Sequence, residues 1–296
     1  MKKKVLLAAF TTAVLLTAGQ VATSAAQPSA VTAVKWNGFE RPAHGTAYTL
    51  SQWSTDGWSA PWSEGLETRS MIDSSTTAHS GTKSLRIFYP KGKIGPADSG
   101  AQAPFTLTKG REYYVSQWIR FSSTFSWGTT QYAGKIGVGL RGGAGCSGGT
   151  TCTGYNGFTS RLIWRSSGQA AIYYYHMDQT GTYGDYRNLT KASGEVIKYP
   201  RGAWMHVAQK VRVNTVTNGN ANPDGEIEVW FNGVSAAKIT GLRFVRNADL
   251  VDSAMFSSFA GGATAEFAPA NDSWIWYDTL KVSTNRAEIC EISGGC

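Results

Sequence analysis

Charge is scarce in this 296-residue chain, where only 16% of residues are Asp, Glu, Lys or Arg. So low a fraction excludes disordered polyelectrolytes, coiled coils and helical repeats. Histidine is scarcer still, at four residues, and the four cysteines show no C-x-x-C spacing, which argues against a zinc site. Basic residues are scattered, with no cluster of five and no nucleic-acid-binding motif, so no nucleic-acid partner is expected. Helical periodicity is nearly missing beyond residue 26, and no later stretch is apolar enough to cross a membrane. Internal repeats are absent, as is any Pro/Ser linker after residue 35, which leaves one domain rather than two.

What is present begins with an export signature. Residues 1–26 carry Lys2, Lys3 and Lys4, an apolar run from Val5 to Leu16, and small residues at Ala22, Ala25 and Ala26. This reads as a secretory signal peptide. Its removal takes three lysines away, leaving about 270 residues and a formal charge of +5 on a secreted, extracellular protein. In that setting disulfides persist. Cys146, Cys152, Cys290 and Cys296 allow three pairings, of which the local one, Cys146–Cys152 with Cys290–Cys296, is expected. Two such short loops pin a loop and a tail while the core carries stability.

The rest of the composition is 34 glycines and 12% aromatics. Short alternating runs at 84–89, 113–121, 158–165, 171–176, 204–214, 226–231, 253–259 and 273–282 read as strands separated by turn residues. Asn232-Gly233, between 226–231 and 236–239, is a two-residue hairpin signal. The fold expected is all-β, a jelly-roll sandwich of two antiparallel sheets over residues 27–284, with a disulfide-closed tail at 285–296.

One hairpin carries chemistry. Strands on either side of Ser166-Ser167-Gly168 pair with register sum 334 if Arg165 meets Gln169, placing Arg161 opposite Tyr173 and Thr159 opposite Tyr175. Alternation puts these four on one face, and Leu162, Trp164, Tyr174, Ser160 and His176 on the other. Arg–Tyr pairs also occur on ordinary solvent faces of sheets, where they contribute about 0.2–1 kcal/mol.

An ordered set of motifs adds to this. Gly134-Lys135-Ile-Gly-Val-Gly-Leu140-Arg-Gly142-Gly143, Cys146-Ser-Gly-Gly149 and Phe158-Thr-Ser-Arg-Leu-Ile-Trp164-Arg165 are followed by Gln209-Lys-Val-Arg-Val-Asn214, Gly225-Glu-Ile-Glu-Val-Trp230 and Phe256-Ser-Ser-Phe-Ala-Gly-Gly262. Over residues 100–283 the chain resembles the family 14 polysaccharide lyases, which cut alginate or glucuronan by β-elimination on a jelly-roll fold. The resemblance places the catalytic lysine on Lys135, in the glycine-rich loop, the arginine on Arg161 and the tyrosine pair on Tyr173 and Tyr175. Thr159 stands where the family has serine. Ile136-Gly-Val-Gly-Leu140 departs from the family's Leu-Pro-Gly-Leu by one extra residue.

The chemistry fits those side chains. Elimination at a 4-linked uronate removes the C5 proton and expels the C4 oxygen, and the carboxylate must be neutralised as the enolate develops. Arg161 and Lys135 suit that neutralisation. Tyr173 or Tyr175 is expected to remove the C5 proton and to donate to the leaving oxygen, with the neighbouring cations favouring phenolate and Thr159 orienting substrate. No cofactor and no metal ligand is assigned. The partner expected is an anionic polysaccharide, and the protein a monomer.

Rival readings are specific. A non-catalytic carbohydrate-binding domain would need aromatics and cations but not this quartet with Lys135. A sandwich-type glycosidase could use Asp224, Glu226 and Glu228, although these also read as the outer face of a hairpin. His176 adjoins the tyrosines but faces away from them, and His206, with Lys210 and Arg212, is expected on a solvated face. Trp53, Trp58 and Trp62 either stack on sugars or cap the sandwich, and Trp274 and Trp276 are expected in the core. Asn188 and Asn271 match glycosylation acceptors.

Overall fold

The computed structural model describes residues 35–128, 134–292 and 295–296. The signal peptide read at 1–26 lies outside the described residues. Two large antiparallel sheets face each other. The first runs β14 (Val234–Leu242), β13 (Gly225–Phe231), β10 (Trp204–Arg212), β5 (Glu112–Phe121), β16 (Ser273–Ser283), β3 (Ser84–Tyr89) and β2 (Ser70–Asp73), with β1 (Lys35–Asn37) also on β16. The second runs β4 (Ala101–Gly110), β15 (Val251–Ala260), β6 (Gly134–Gly142), β7 (Phe158–Trp164), β8 (Ala170–Tyr175) and β9 (Asp185–Asn188). A two-strand ribbon, β11 (Val216–Thr217) with β12 (Asn220–Ala221), stands apart. The described residues all belong to one compact unit. This is the expected jelly-roll sandwich, and among the described residues no helix is long and apolar enough to cross a membrane.

Alternation builds the core. Leu162, Trp164, Ile172 and Tyr174 face inward from β7 and β8, and meet Val115, Ile119, Phe121, Val207, Val211, Ile275 and Tyr277 of the other sheet. Burying a side chain of this size contributes about 1.5–3 kcal/mol. Trp53 and Trp58 are fully buried against Phe105 and so cap the sandwich, while Trp62 stays 39% exposed. Trp274 and Trp276 share a face as expected, but it is the outer one. Both are half-buried, with Trp274 stacked on Phe88 and Trp276 bonded to Asp73, because Ile275 and Tyr277 take the inward positions.

The turns follow their residues. Asn232 (φ 46°) and Gly233 (φ 84°) form the tight hairpin between β13 and β14 that left-handed residues permit. Ser167 and Gly168 are left-handed between β7 and β8, and the Arg165 N–H donates to Gln169 O at 2.8 Å. Both local disulfides form, Cys146–Cys152 and Cys290–Cys296. The tail, with a one-turn helix at Arg286–Ile289, lies on the outer face of the first sheet, where Ile289 and Cys296 cover Tyr114, Ala208 and Trp230.

The glycine-rich stretch around Lys135, expected as a loop, is instead the central strand β6. Against β15 it keeps one register from Lys135 (opposite Phe259) to Arg141 (opposite Ser253), shifting only beyond Arg141, but against β7 it slips between Ile136 and Leu140. The slip is a bulge centred on Gly137 (φ 65°). The backbone groups it frees are taken up by the opposite sheet. Gly137 N–H donates to Tyr277 Oη at 3.0 Å, and Val138 N–H donates to Gln117 Oε1 at 2.8 Å. A side chain at 137 would collide with Gln117, so glycine is required there on two counts.

Candidate active site

The register sum read from the sequence holds: Arg161 pairs with Tyr173, and Thr159 with Tyr175. Through β6, Lys135 sits opposite Ile163 and Arg141 opposite Thr159. Directly paired residues point to the same side of a sheet. Lys135, Arg141, Thr159, Arg161, Tyr173 and Tyr175 therefore share the face turned away from the core. All five residues expected at the site are brought together.

Two of them are cations with no counter-ion among the described residues. The Arg161 guanidinium is buried, forms no hydrogen bond or ion pair with the described residues, and lies 6.0 Å from the Tyr173 ring centroid. Lys135 is half-buried, donates to Gly261 O at 3.1 Å and stands 5.3 Å from the Phe259 ring centroid. Burial, and then the Arg161 charge, push the Lys135 ammonium down to about 7. A buried charge without a partner is costly. An anion arriving from solvent would relieve both groups at once.

The tyrosines are hydrogen-bonded to each other. Their hydroxyl oxygens are 3.1 Å apart, and each accepts a peptide N–H at 3.1 Å, Tyr173 from Gly184 and Tyr175 from Gly149. Tyr173 is half-buried and Tyr175 only 1% exposed, so Tyr173 is the one nearer solvent. Burial and the bond to Tyr175 hold the Tyr173 hydroxyl above the ordinary phenol range, outweighing Arg161, which pulls the other way. The expected drop toward phenolate is therefore reversed at Tyr173. Thr159 is 3% exposed and donates its hydroxyl to Cys146 O at 3.0 Å, which ties it to the disulfide loop. A cleft of about 610 Å³, lined by Tyr174 and residues 180–187, adjoins the pair through Gly184.

Sequence reasoning gave no role to Arg141 or Gln117. Arg141 was visible as the cation six residues after Lys135, but its place beside Thr159 depends on the bulge. Gln117 carries no signal in its own strand. Among the described residues, no three His, Cys, Asp or Glu side chains converge as a metal site would require.

The rival residues lie elsewhere. His176 faces away from the tyrosine pair, bonded to Asp185 at 2.8 Å beside the Tyr174 ring. His206, expected on a solvated face, is fully buried beside Trp118, because the tail folds over that part of the sheet. Glu226 contacts Lys210 at 2.7 Å, Arg212 at 3.0 Å and Lys238 at 3.3 Å. Burial pushes its carboxyl up, but the lysines outweigh that and hold it below the usual carboxylate range. Asp224 is held low as well, bonded to Thr215 and Arg111. A glycosidase acid needs the opposite shift.

Comparison with known proteins agrees with this geometry. The family model Polysaccharide lyase 14 matches residues 77–280. The alginate lyase Aly36B superposes with a TM-score of 0.70 at 27% identity, covering 86% of this chain and 98% of its own. The alginate lyase of Aplysia kurodai gives 0.67 at 22% identity, covering 86% and 100%. The endo-β-1,4-glucuronan lyase of the fungus Trichoderma reesei gives 0.55 at 16%, covering 87% and 98%. These last two show the shared fold. No match is found among curated proteins. With its fold, its unpaired cations and its tyrosine pair in place, the chain belongs to polysaccharide lyase family 14.

Proposed function

We propose that this polysaccharide lyase is an exported enzyme that cuts alginate by β-elimination, using Lys135, Arg161, Tyr173 and Tyr175. The observation that supports this most is two unpaired cations, Lys135 and Arg161, sharing a sheet face with a hydrogen-bonded tyrosine pair. The similar Aly36B is an alginate lyase that has been seen with alginate tri- and tetrasaccharides. Export rests on the leader at 1–26 and on the two disulfides.

The chemistry proceeds from charge to proton. Arg161 receives the uronate carboxylate, bidentate where the geometry allows, and so lowers the acidity barrier at C5. A group with a pKa near 7 is a competent base near neutrality, and Lys135 fits that description better than a tyrosine held above 10. The free amine of Lys135 takes the C5 proton. The C4–O bond breaks as the C4–C5 double bond forms, and the Tyr173 hydroxyl protonates the departing oxygen. Tyr175 lies behind Tyr173, hydrogen-bonded to it. Both transfers were expected of the tyrosines from sequence, and it is the burial of Lys135 and Tyr173 that moves the base to the lysine.

The test is incubation with alginate and with glucuronan, following ultraviolet absorbance of the unsaturated uronate. Product with that absorbance is expected from alginate. Lys135→Ala and Tyr173→Phe should each lower kcat by about 10²–10⁴-fold, and Arg161→Ala should also weaken binding. Reducing ends without absorbance would indicate hydrolysis, and retention on polymer without cleavage a binding module. Either would sink the proposal.

A further inference from the structure

The turn closed by Cys146–Cys152 meets the site at its least exposed member. Both cysteines are buried and pack with Tyr173 and Tyr175. Within the turn, Gly148 (φ 67°) and Gly149 (φ 80°) are left-handed in succession, and this aims the Gly149 N–H inward at Tyr175 Oη, 3.1 Å away. The turn is anchored twice more. Thr159 donates to Cys146 O at 3.0 Å, and Gln179 Nε2 donates to Thr150 O at 3.2 Å. Gln179 also donates to Gly181 O at 2.8 Å, in the segment whose Gly184 N–H reaches Tyr173. Two backbone segments, tied to each other by Gln179, thus present one peptide N–H to each phenol oxygen. Donors fixed before the reaction stabilise a developing oxyanion without having to reorganise.

We propose that the disulfide-closed turn Cys146–Cys152 is a positioning element of the catalytic site, holding the Gly149 N–H on the Tyr175 oxygen, so that turnover depends on this bridge. The inference rests on the lyase reading and on the tyrosine pair acting in proton transfer. As the proton passes from Tyr173 toward the leaving oxygen, negative charge spreads over the hydrogen-bonded phenols, and Gly149 meets it at the buried end. The tail bridge Cys290–Cys296 lies on the other sheet and touches neither tyrosine.

The test compares two double variants on alginate. Cys146→Ser/Cys152→Ser should lose about tenfold or more in kcat, with KM within about threefold and the circular dichroism of the folded protein retained. Its pH–rate profile should shift, as a merely structural loosening would not cause. Cys290→Ser/Cys296→Ser should keep the wild-type kcat. In a Tyr175→Phe background, opening the first bridge should change kcat by less than about twofold, since the effect runs through the missing oxygen. An undiminished kcat after opening overturns the proposal, and so does an equal loss with and without the Tyr175 hydroxyl. Should the opened chain fail to fold, Gln179→Ala decides: a lower kcat at unchanged KM supports the proposal, and wild-type kinetics overturn it. Failure of the lyase reading shows separately, as wild-type enzyme giving no unsaturated product, and removes the ground of both.

Discussion

Lys135 is the residue whose behaviour departs furthest from its chemistry in water. Its neighbours offer a carbonyl and a ring edge but no carboxylate, and Arg161 adds like charge. Because the free amine is the form assigned as base, kcat/KM should rise with pH through about 7. Arg161→Gln removes one of the two causes of the lowered value and leaves burial, so the limb should move to higher pH. Initial rates at low substrate across a pH series check this, and an unmoved or lowered limb would contradict it. The residues themselves were legible in sequence. Ser166-Ser167-Gly168 set the register, and the register put Arg161, Tyr173, Thr159 and Tyr175 on one face. Their protonation was not legible, since it turns on burial by segments far away in the chain. Gly149 and Gly184 reach the tyrosines only through their backbones, which no side-chain pattern announces.

At the level of the strand, β6 shows why a glycine-rich segment misleads. Alternation cannot be read where side chains are missing, yet here the missing side chains let a central strand bulge while keeping its register to β15 across the bulge. The bulge sets the offset between Lys135 and Arg161, and it falls within Ile136-Gly-Val-Gly-Leu140. Gly137→Ala should therefore act on both stability and turnover. The alanine would have to hold φ near 65° with its Cβ against Gln117, a strain of about 1–3 kcal/mol. Urea unfolding should show a loss of that size, and kcat should fall with it. Unchanged stability would mean the bulge accommodates a side chain. Hairpins with explicit turn residues, such as Asn232-Gly233, were by contrast readable from sequence alone, because their conformation is written in two residues.

For the molecule as a whole, the sandwich was legible from strand spacing, but the covering of its outer faces was not. The tail seals His206 beneath it, fully buried, with the Cys296 backbone against the ring. Burial first, against the opposing pull of Glu291, brings His206 down to about 4, with Lys281 and His79 also facing it. Between pH 6.5 and 4 the unfolded chain then binds a proton that the folded one refuses, so stability falls as pH drops through that window. His206→Gln should shrink the difference between urea midpoints measured at pH 7 and pH 4.5. An unchanged difference would assign the acid sensitivity to other groups. Polar pins cross the core as well: Gln117 and Tyr277 hold the bulge, and Gln209 donates to Ser160 at 2.5 Å. The strands that carry Lys135 and Arg161 are thus fastened to the sheet behind them. An active site riding on loops commonly fails on heating before its scaffold does. Here the strands proposed to carry the catalytic cations are pinned to the sheet behind them, so on heating they should hold their geometry until the whole sandwich melts.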